Sequence, residues 1–391
     1  MKKLCIVTTT RADWGLLSPV AGALRQHGDI ELQIVAGNMH LMERYGFTRR
    51  EIEADGYDIA GLLPVDTGDD NDDNDASRVL AMSQCMAGCS DVFARLAPDA
   101  VLLLGDRYEM LAIAAAAATM HIPIIHIAGG EISEGALDDA FRHAITKLAT
   151  LHLTATERYR ERVVQLGEAP NRVINTGAIG VWNAFNTPLM SRAELEHDLG
   201  INFGDRRVAG VTFHPATNDA GASPAQQAKA LTDALAAFPE LVQIITYPNN
   251  DAGGAAIIPI LEDYAVSNPS NVRLVKSLGM KRYQSLLAEA AIVVGNSSSG
   301  IVEAPSAGCV TVDIGIRQRG RMAADTVLHC PAETAAIRKA IEQALGSDMQ
   351  ALAAKKLNPY YKPDTLELMR AAIVAFMNSL PCPVKKFYDL P

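Results

Sequence analysis

The stretch AVLLLGDRYEMLAIAAAAATMHIPIIHIAGG (100–130) decides the fold. Two short apolar runs, AVLLL and IPIIHI, end on glycine, the first at Gly105 and the second at Gly129–Gly130. Between them lies an apolar, Ala-rich segment of helical length, 109–120. A strand covered on both faces reads as an unbroken apolar run rather than an alternation, so run, helix, run marks a parallel βαβ unit. The same mark recurs outward in both directions. LCIVTTT (4–10) and LQIVAG (32–37) precede it; LHLTAT (151–156) and VINTG (173–177) follow, with helical stretches such as 16–27 and 138–150 between. After a polar helical stretch, SRAELEHDLGI (191–201), the pattern restarts. VAGVTFH (208–214), VQIITYP (242–248), VRLVKS (272–277), AIVVGNSS (291–298), CVTVDIG (309–315) and TVLHC (326–330) are its strands. The fold class is therefore α/β, two doubly wound parallel sheets. The expected domains are 1–183, with a tail helix at 364–391 crossing back onto it, and 184–363.

Composition agrees. A chain of 391 residues, 49% hydrophobic and 20% charged, is long enough for about two domains with sizeable cores. The net charge is −10, and the Asp-rich segment 66–75, read as a solvated loop, carries six acids and no base. That argues against a broad nucleic-acid or anionic-membrane surface but leaves room for a local arginine cluster. Six scattered cysteines, with Cys85 and Cys89 read as buried thiols, fit a reducing compartment. The N-terminus is too short in apolar residues for a signal peptide, and the longest apolar run, 110–120, is too short to span a membrane. A cytoplasmic protein is expected.

In open α/β sheets, ligands bind beyond the carboxyl ends of the strands. The polar residues after each apolar run therefore carry the functional reading. TTTRADWGLLSPV (8–20) places Arg11 in a turn before a helix expected from about Leu16, either an anion contact or a surface residue. GDRYE (105–109) places Asp106 and Arg107 at a strand end, as a functional pair or a salt bridge. HIAGGEISEGALDDAFRH (126–143) offers Glu131, Asp138, Asp139 and Arg142. Paired carboxylates suit acid–base work, although an Asp there also caps a helix and Arg142 can neutralise Asp138 or Asp139. His214 follows a strand; His126 and His143 are weaker candidates. Asn249 and Asn250 contact ligand or form a turn. VVGNSSSGIVEAPSAG (293–308) ends a strand at Asn296 and opens a helix with Ser297, Ser298 and Ser299, a cradle for a diphosphate, with Glu303 one turn in for ribose hydroxyls. IRQRGR (316–321) adds Arg317, Arg319 and Arg321. There is no G-x-x-x-x-G-K-[ST], no G-x-S-x-G and no metal-ligand spacing, so neither cofactor nor metal is expected.

Taken in order, RADWG, GDRYE, HIAGGE with DDAFRHAITK, TGAIG, FHPAT, YPNNDAGG, GNSSSGIVEAPSAG and IRQRGR resemble the hydrolysing UDP-N-acetylglucosamine 2-epimerases of sialic-acid and legionaminic-acid biosynthesis. The likeness runs from about residue 4 to 322. It implies the glycosyltransferase-B arrangement, two Rossmann-like domains facing across a cleft, and a UDP-sugar substrate (UDP-N-acetylglucosamine or a UDP- or GDP-linked diacetamido-trideoxy sugar). The implied product is a free N-acetylmannosamine-type sugar, and the implied assembly a homodimer or homotetramer. By the same likeness Asp106 and Asp138 are catalytic acid/base positions, and Arg11, Arg107, His214, Asn249, Ser297, Ser298, Glu303 and Arg317 contact UDP. One departure stands out: some members have Glu where this chain has Ala128, which cannot exchange a proton, so either Glu131 assumes that role, or the catalytic set differs, or the protein is a weak or variant enzyme. A non-hydrolysing epimerase, a glycosyltransferase of the same architecture and an inactive UDP-sugar-binding protein remain rival readings.

Overall fold

The computed structural model describes residues 1–43, 46–65, 75–219, 221–249, 251, 253–381 and 384–390. Most of the Asp-rich segment (66–74), Asn250 and Cys382 lie outside the described residues. By internal contacts the chain divides into two compact units. One comprises Met1–Glu131, Asp138–Trp182 and Lys362–Pro391, the other Ile132–Leu137 and Asn183–Tyr361.

The first unit holds strands β1 (Lys2–Thr8), β2 (Ile30–Gly37), β3 (Ile59–Leu63), β4 (Ala100–Leu104), β5 (Ile124–Ile127), β6 (Leu151–Thr154) and β7 (Val173–Asn175). They pair in the order β3-β2-β1-β4-β5-β6-β7, all parallel. Leu4 of β1 faces Leu32 on one side and Ala100 on the other, so β1 is central. Every residue of β4 is buried, which is why AVLLL carries no polar position. One core face gathers Leu4, Ile6, Leu17, Leu24 and Leu102 with Met369, Ile373 and Phe376 of the helix Thr365–Asn378. The other gathers Cys5, Val7, Phe93, Leu103, Met110 and Ile113. Cys85 and Cys89 are buried thiols.

The second unit holds β8 (Val208–Thr212), β9 (Val242–Thr246), β10 (Val272–Val275), β11 (Ala290–Gly295), β12 (Val310–Ile314) and β13 (Val327–Cys330). Their order is β10-β9-β8-β11-β12-β13, again all parallel. Both sheets reverse direction of growth beside their first strand, between β1 and β4 and between β8 and β11. That switch point is where α/β sheets take their ligands, because neighbouring loops part there. Gly295 makes the second switch point possible. Its φ is +141°, and a Cβ on it would stand 1.9 Å from the Thr212 carbonyl oxygen, so only glycine lets β11 end against β8.

Two local expectations need correction. The first helix begins at Arg11, not Leu16. Thr10 accepts from the Asp13 N–H and Asp13 returns a bond to the Thr10 N–H, a capping box that starts the helix a turn early. Arg11 is thus a first-turn residue and Gly15 lies inside the helix. The second concerns the serine-headed helix, which is only Ser298–Val302. Glu303 interrupts it before Ala304–Ala307 resumes.

Candidate active site

In the first unit, a buried arginine organises the carboxyl edge. Arg142, 1% exposed on the helix Asp138–Leu148, donates to Asp106 beyond β4, to Asp139 Oδ1 (3.0 Å) and to the backbone carbonyl of Glu131 (3.0 Å). A planar guanidinium with a fixed fork of donors can hold three acceptors in one geometry. Of the two acids weighed as partners of Arg142, Asp139 meets it one helical turn away; Asp138 opens the helix. Asp139 also meets His143 (3.5 Å), whose burial lowers its pKa. Glu131 is buried and Asp106 a quarter exposed, so the cluster sits at the rim of the core rather than inside it.

Around it, the other candidate cations have partners that the sequence did not announce. Arg11 pairs with Glu51 (2.8 Å), carried by the short helix Arg49–Ala54. Arg107 pairs with the fully buried Glu109 (3.2 Å), which also accepts from Asn38 at the end of β2. Burial raises the Asp13 carboxyl, against the pull of the Arg107 guanidinium. Two neutral histidines brace the strand ends. His126 Nε2 donates to the Gly105 carbonyl (2.7 Å), and His40 bridges Thr8 and Thr48 (2.9 and 2.8 Å). Burial pushes both down to about 4. His126 thus supports the loop that carries Asp106.

In the second unit, the organiser is an amide. Asn296, buried directly after β11, accepts the His214 N–H (2.7 Å) and donates to the His214 carbonyl (2.8 Å). Its own carbonyl accepts from Gln318 (2.8 Å) and Arg317 (3.3 Å). The side chain thereby ties the β8 loop to the end of β11, and the backbone carbonyl of the same residue holds the loop after β12. The Asn249 N–H donates to His214 Nδ1 (3.0 Å), which places the proton of the neutral ring on Nε2 as a donor. Asn249 also donates to Asp251 (2.6 Å), and Asp251 meets Arg317 (3.4 Å). Arg321 follows in a turn closed on the Gln318 carbonyl (3.1 Å).

The serines are arranged differently from a helix cap. Ser297 occupies the cap position, yet its hydroxyl makes no cap bond and instead meets Ser299 Oγ (3.1 Å), which bonds the Tyr283 hydroxyl. Ser298 is exposed. Glu303 accepts from Gln284 (2.9 Å), and burial pushes it up to about 7. Asn296, Asp251, Tyr283, Glu51 and Glu109 were not among the candidate residues. Asn296 had a signal, a polar residue immediately after a buried strand; Glu109 reads in sequence as the first polar turn of an apolar helix.

The segment Ile132–Leu137, between Glu131 and Asp138, adds a piece to the second unit. Its Leu137 N–H donates to Thr217 Oγ1 (2.9 Å) and its Glu134 N–H to the Arg319 carbonyl (3.1 Å).

Comparison with known proteins gives these clusters a family. The chain is 36% identical over 327 residues to the Campylobacter jejuni GDP/UDP-N,N'-diacetylbacillosamine 2-epimerase (hydrolyzing), covering 84% of each chain. It is 34% identical over 391 residues to the Escherichia coli polysialic acid biosynthesis protein P7, covering 100% of this chain and 98% of that one. Among solved structures, the Neisseria meningitidis UDP-GlcNAc 2-epimerase bound to UDP-GlcNAc matches with a TM-score of 0.79 at 18% identity, over 96% of this chain and 100% of that one, so the fold is shared. The model of the UDP-N-acetylglucosamine 2-epimerase family matches residues 22–374, and the chain belongs to that family.

Proposed function

We propose that the protein is a hydrolysing nucleotide-sugar 2-epimerase. It converts UDP-N-acetylglucosamine, or a UDP- or GDP-linked diacetamido-trideoxy relative, and water to UDP (or GDP) and a free N-acetylmannosamine-type sugar. The observation that carries the reading is the gathering of Asp106 and Asp139 on buried Arg142, whose third bond holds the Glu131 backbone, in a chain whose relatives at 34–36% identity include an enzyme named as hydrolysing.

The chemistry follows from the substrate. The C2 proton is not beside a carbonyl, so its removal is coupled to cleavage of the C1–O bond. Asp106 takes the proton, the C–H electrons form the C1–C2 double bond of a glycal, and UDP departs with the C1–O electrons. Charge then develops on the diphosphate, and stabilising it is the main electrostatic task. Arg11, Arg107, Arg317, Arg321, the Nε2–H of His214, Asn249 and the hydroxyls of Ser297, Ser298 and Ser299 serve that end, while Glu303 takes ribose hydroxyls. Water adds at C1, and Glu131 or Asp138 delivers a proton to C2 from the opposite face. In a chain with Ala128, Glu131 is the nearer candidate by sequence. A cytoplasmic homodimer or homotetramer, working in sialic-acid or legionaminic-acid synthesis, fits the same reading.

Incubation with UDP-N-acetylglucosamine, and separately with the diacetamido relative, in heavy water tests it. Free sugar deuterated at C2 plus UDP is expected. A UDP-linked epimer supports a non-hydrolysing enzyme, transfer only to an added acceptor a glycosyltransferase, and binding without turnover an inactive protein.

A further inference from the structure

The six residues between two of the candidate acids pack with a different unit from the acids themselves. Glu131 and Asp138 belong to the first unit, but Ile132–Leu137 belongs to the second. The hexapeptide is tied there from its middle to its C-terminal end. Glu134 N–H donates to the Arg319 carbonyl (3.1 Å), Asn218 N–H to the Gly135 carbonyl (3.1 Å) and Leu137 N–H to Thr217 Oγ1 (2.9 Å). The fit is close. A Cβ on Gly135 would stand 2.4 Å from the Ile316 carbonyl oxygen, and one on Gly320 2.5 Å from the Ile132 side chain. The loops that grip it are those that carry His214 and Arg317.

We propose that Ile132–Leu137 is a positioning strap: anion binding at the His214 and Arg317 loops fixes the strap, and the strap sets where Glu131 and Asp138 stand. The proposal rests on the nucleotide-sugar reading above and adds to it a route by which a filled diphosphate site prepares the acids. The physical basis is covalent. A free six-residue linker would leave each neighbouring residue many backbone conformations. A linker bonded at three points restricts the backbone on either side of it, which for Glu131 adds to the bond that its carbonyl accepts from Arg142 (3.0 Å). Displacement of a catalytic group by about 1 Å costs on the order of 100-fold in rate, so a loose strap acts on turnover rather than on UDP affinity. Gly135 and Thr217 are thus positioning residues.

The test uses the full chain, UDP as probe, and whichever sugar nucleotide is turned over. Gly135→Ala should bind UDP within about threefold of the unaltered protein while kcat falls about 100-fold with KM little changed. UDP should slow amide exchange over residues 138–148 in the unaltered protein, and this slowing should be lost in the variant. Equal kcat, or retained slowing in the variant, overturns the strap. Thr217→Val removes the acceptor of Leu137 without crowding and should lower kcat about tenfold at similar UDP affinity; it decides the matter if Gly135→Ala does not fold, and unchanged kcat overturns the strap there too. UDP binding to the unaltered protein with no change in exchange overturns the strap alone, whereas no UDP binding overturns the nucleotide-sugar reading and the strap together.

Discussion

The carboxyl edge of the first sheet is built mainly from ions, that of the second mainly from dipoles. Arg142 with Asp106 and Asp139, Arg107 with Glu109, and Arg11 with Glu51 make the first. Asn296, Asn249, Gln318 and the serine hydroxyls make most of the second, where Arg317 with Asp251 is an ion pair and His214 accepts a backbone N–H. The difference matters because the two materials fail differently. Removing one member of a partly buried ion pair strands its partner, while removing an amide forfeits a few neutral hydrogen bonds. Proton transfer needs groups that gain and lose charge; holding a diphosphate needs oriented donors that do not. The comparison is why we propose chemistry for the first edge and binding for the second, and the proposal can be broken from either side.

The largest expected effect is on turnover. Asp106→Asn keeps the shape of the side chain and removes its capacity to take a proton, so kcat should fall about 10³-fold while UDP affinity stays within about threefold. Steady-state kinetics beside calorimetric titration of UDP reads both. Near-normal turnover would remove Asp106 from the chemistry and with it the division between the edges.

Acid should next separate the units. His40 and His126 are buried neutral in the first unit, pushed down to about 4, whereas an unfolded histidine titrates near 6.5. The unfolded chain then binds more protons between those values, so stability is full above about pH 6.5 and falls as pH drops toward 4, by up to about 3 kcal/mol for each histidine. In the second unit His329 is raised by Asp313 and has the opposite sign, adding stability below about 6.5. Both tryptophans, Trp14 and Trp182, lie in the first unit, so their fluorescence reports it selectively. Urea midpoints followed by tryptophan emission should fall between pH 7 and 5, and His126→Gln should flatten that slope. A midpoint independent of pH would contradict the neutral assignment.

A smaller effect should come from the second edge. Asn296→Ala removes both side-chain bonds to the His214 backbone and frees the β8 loop, and UDP affinity should drop about tenfold with kcat at saturation little changed. A loss of kcat instead would mean that this amide acts on the reacting carbon and that the edges are less distinct than their composition implies.

Much of this was open to sequence reading, and the reasons are local. Buried parallel strands must be unbroken apolar runs, so β4 and β11 could be read from AVLLL and AIVVG alone, and the residues following them had to lie at a ligand-binding edge. What could not be read depends on tertiary partners. Thr10 and Asp13 form a capping box that moves a helix start, yet T-R-A-D competes in sequence with the turn expected before Leu16. Glu51 comes from a segment with no strand-end signature. Gly135 looks like an ordinary loop glycine until Ile316, 181 residues later, is seen against it.

The smallest effect bears on the residue directly after β5. Ala128 follows β5 with φ +70°, in the left-handed region that costs an L-residue roughly 1–2 kcal/mol. Its N–H is spent on the Leu153 carbonyl (3.0 Å), so the conformation is held by the sheet rather than by the side chain. Ala128→Gly should relieve the strain at the expense of a more flexible unfolded chain, a net gain of about 0.5 kcal/mol and a slightly higher urea midpoint. Ala128→Glu keeps the strain and adds a carboxyl group. If Glu131 already does the work of the missing acid, that variant gains no turnover; a rise in kcat would show instead that position 128 still faces the sugar and that the chain runs short of one proton donor.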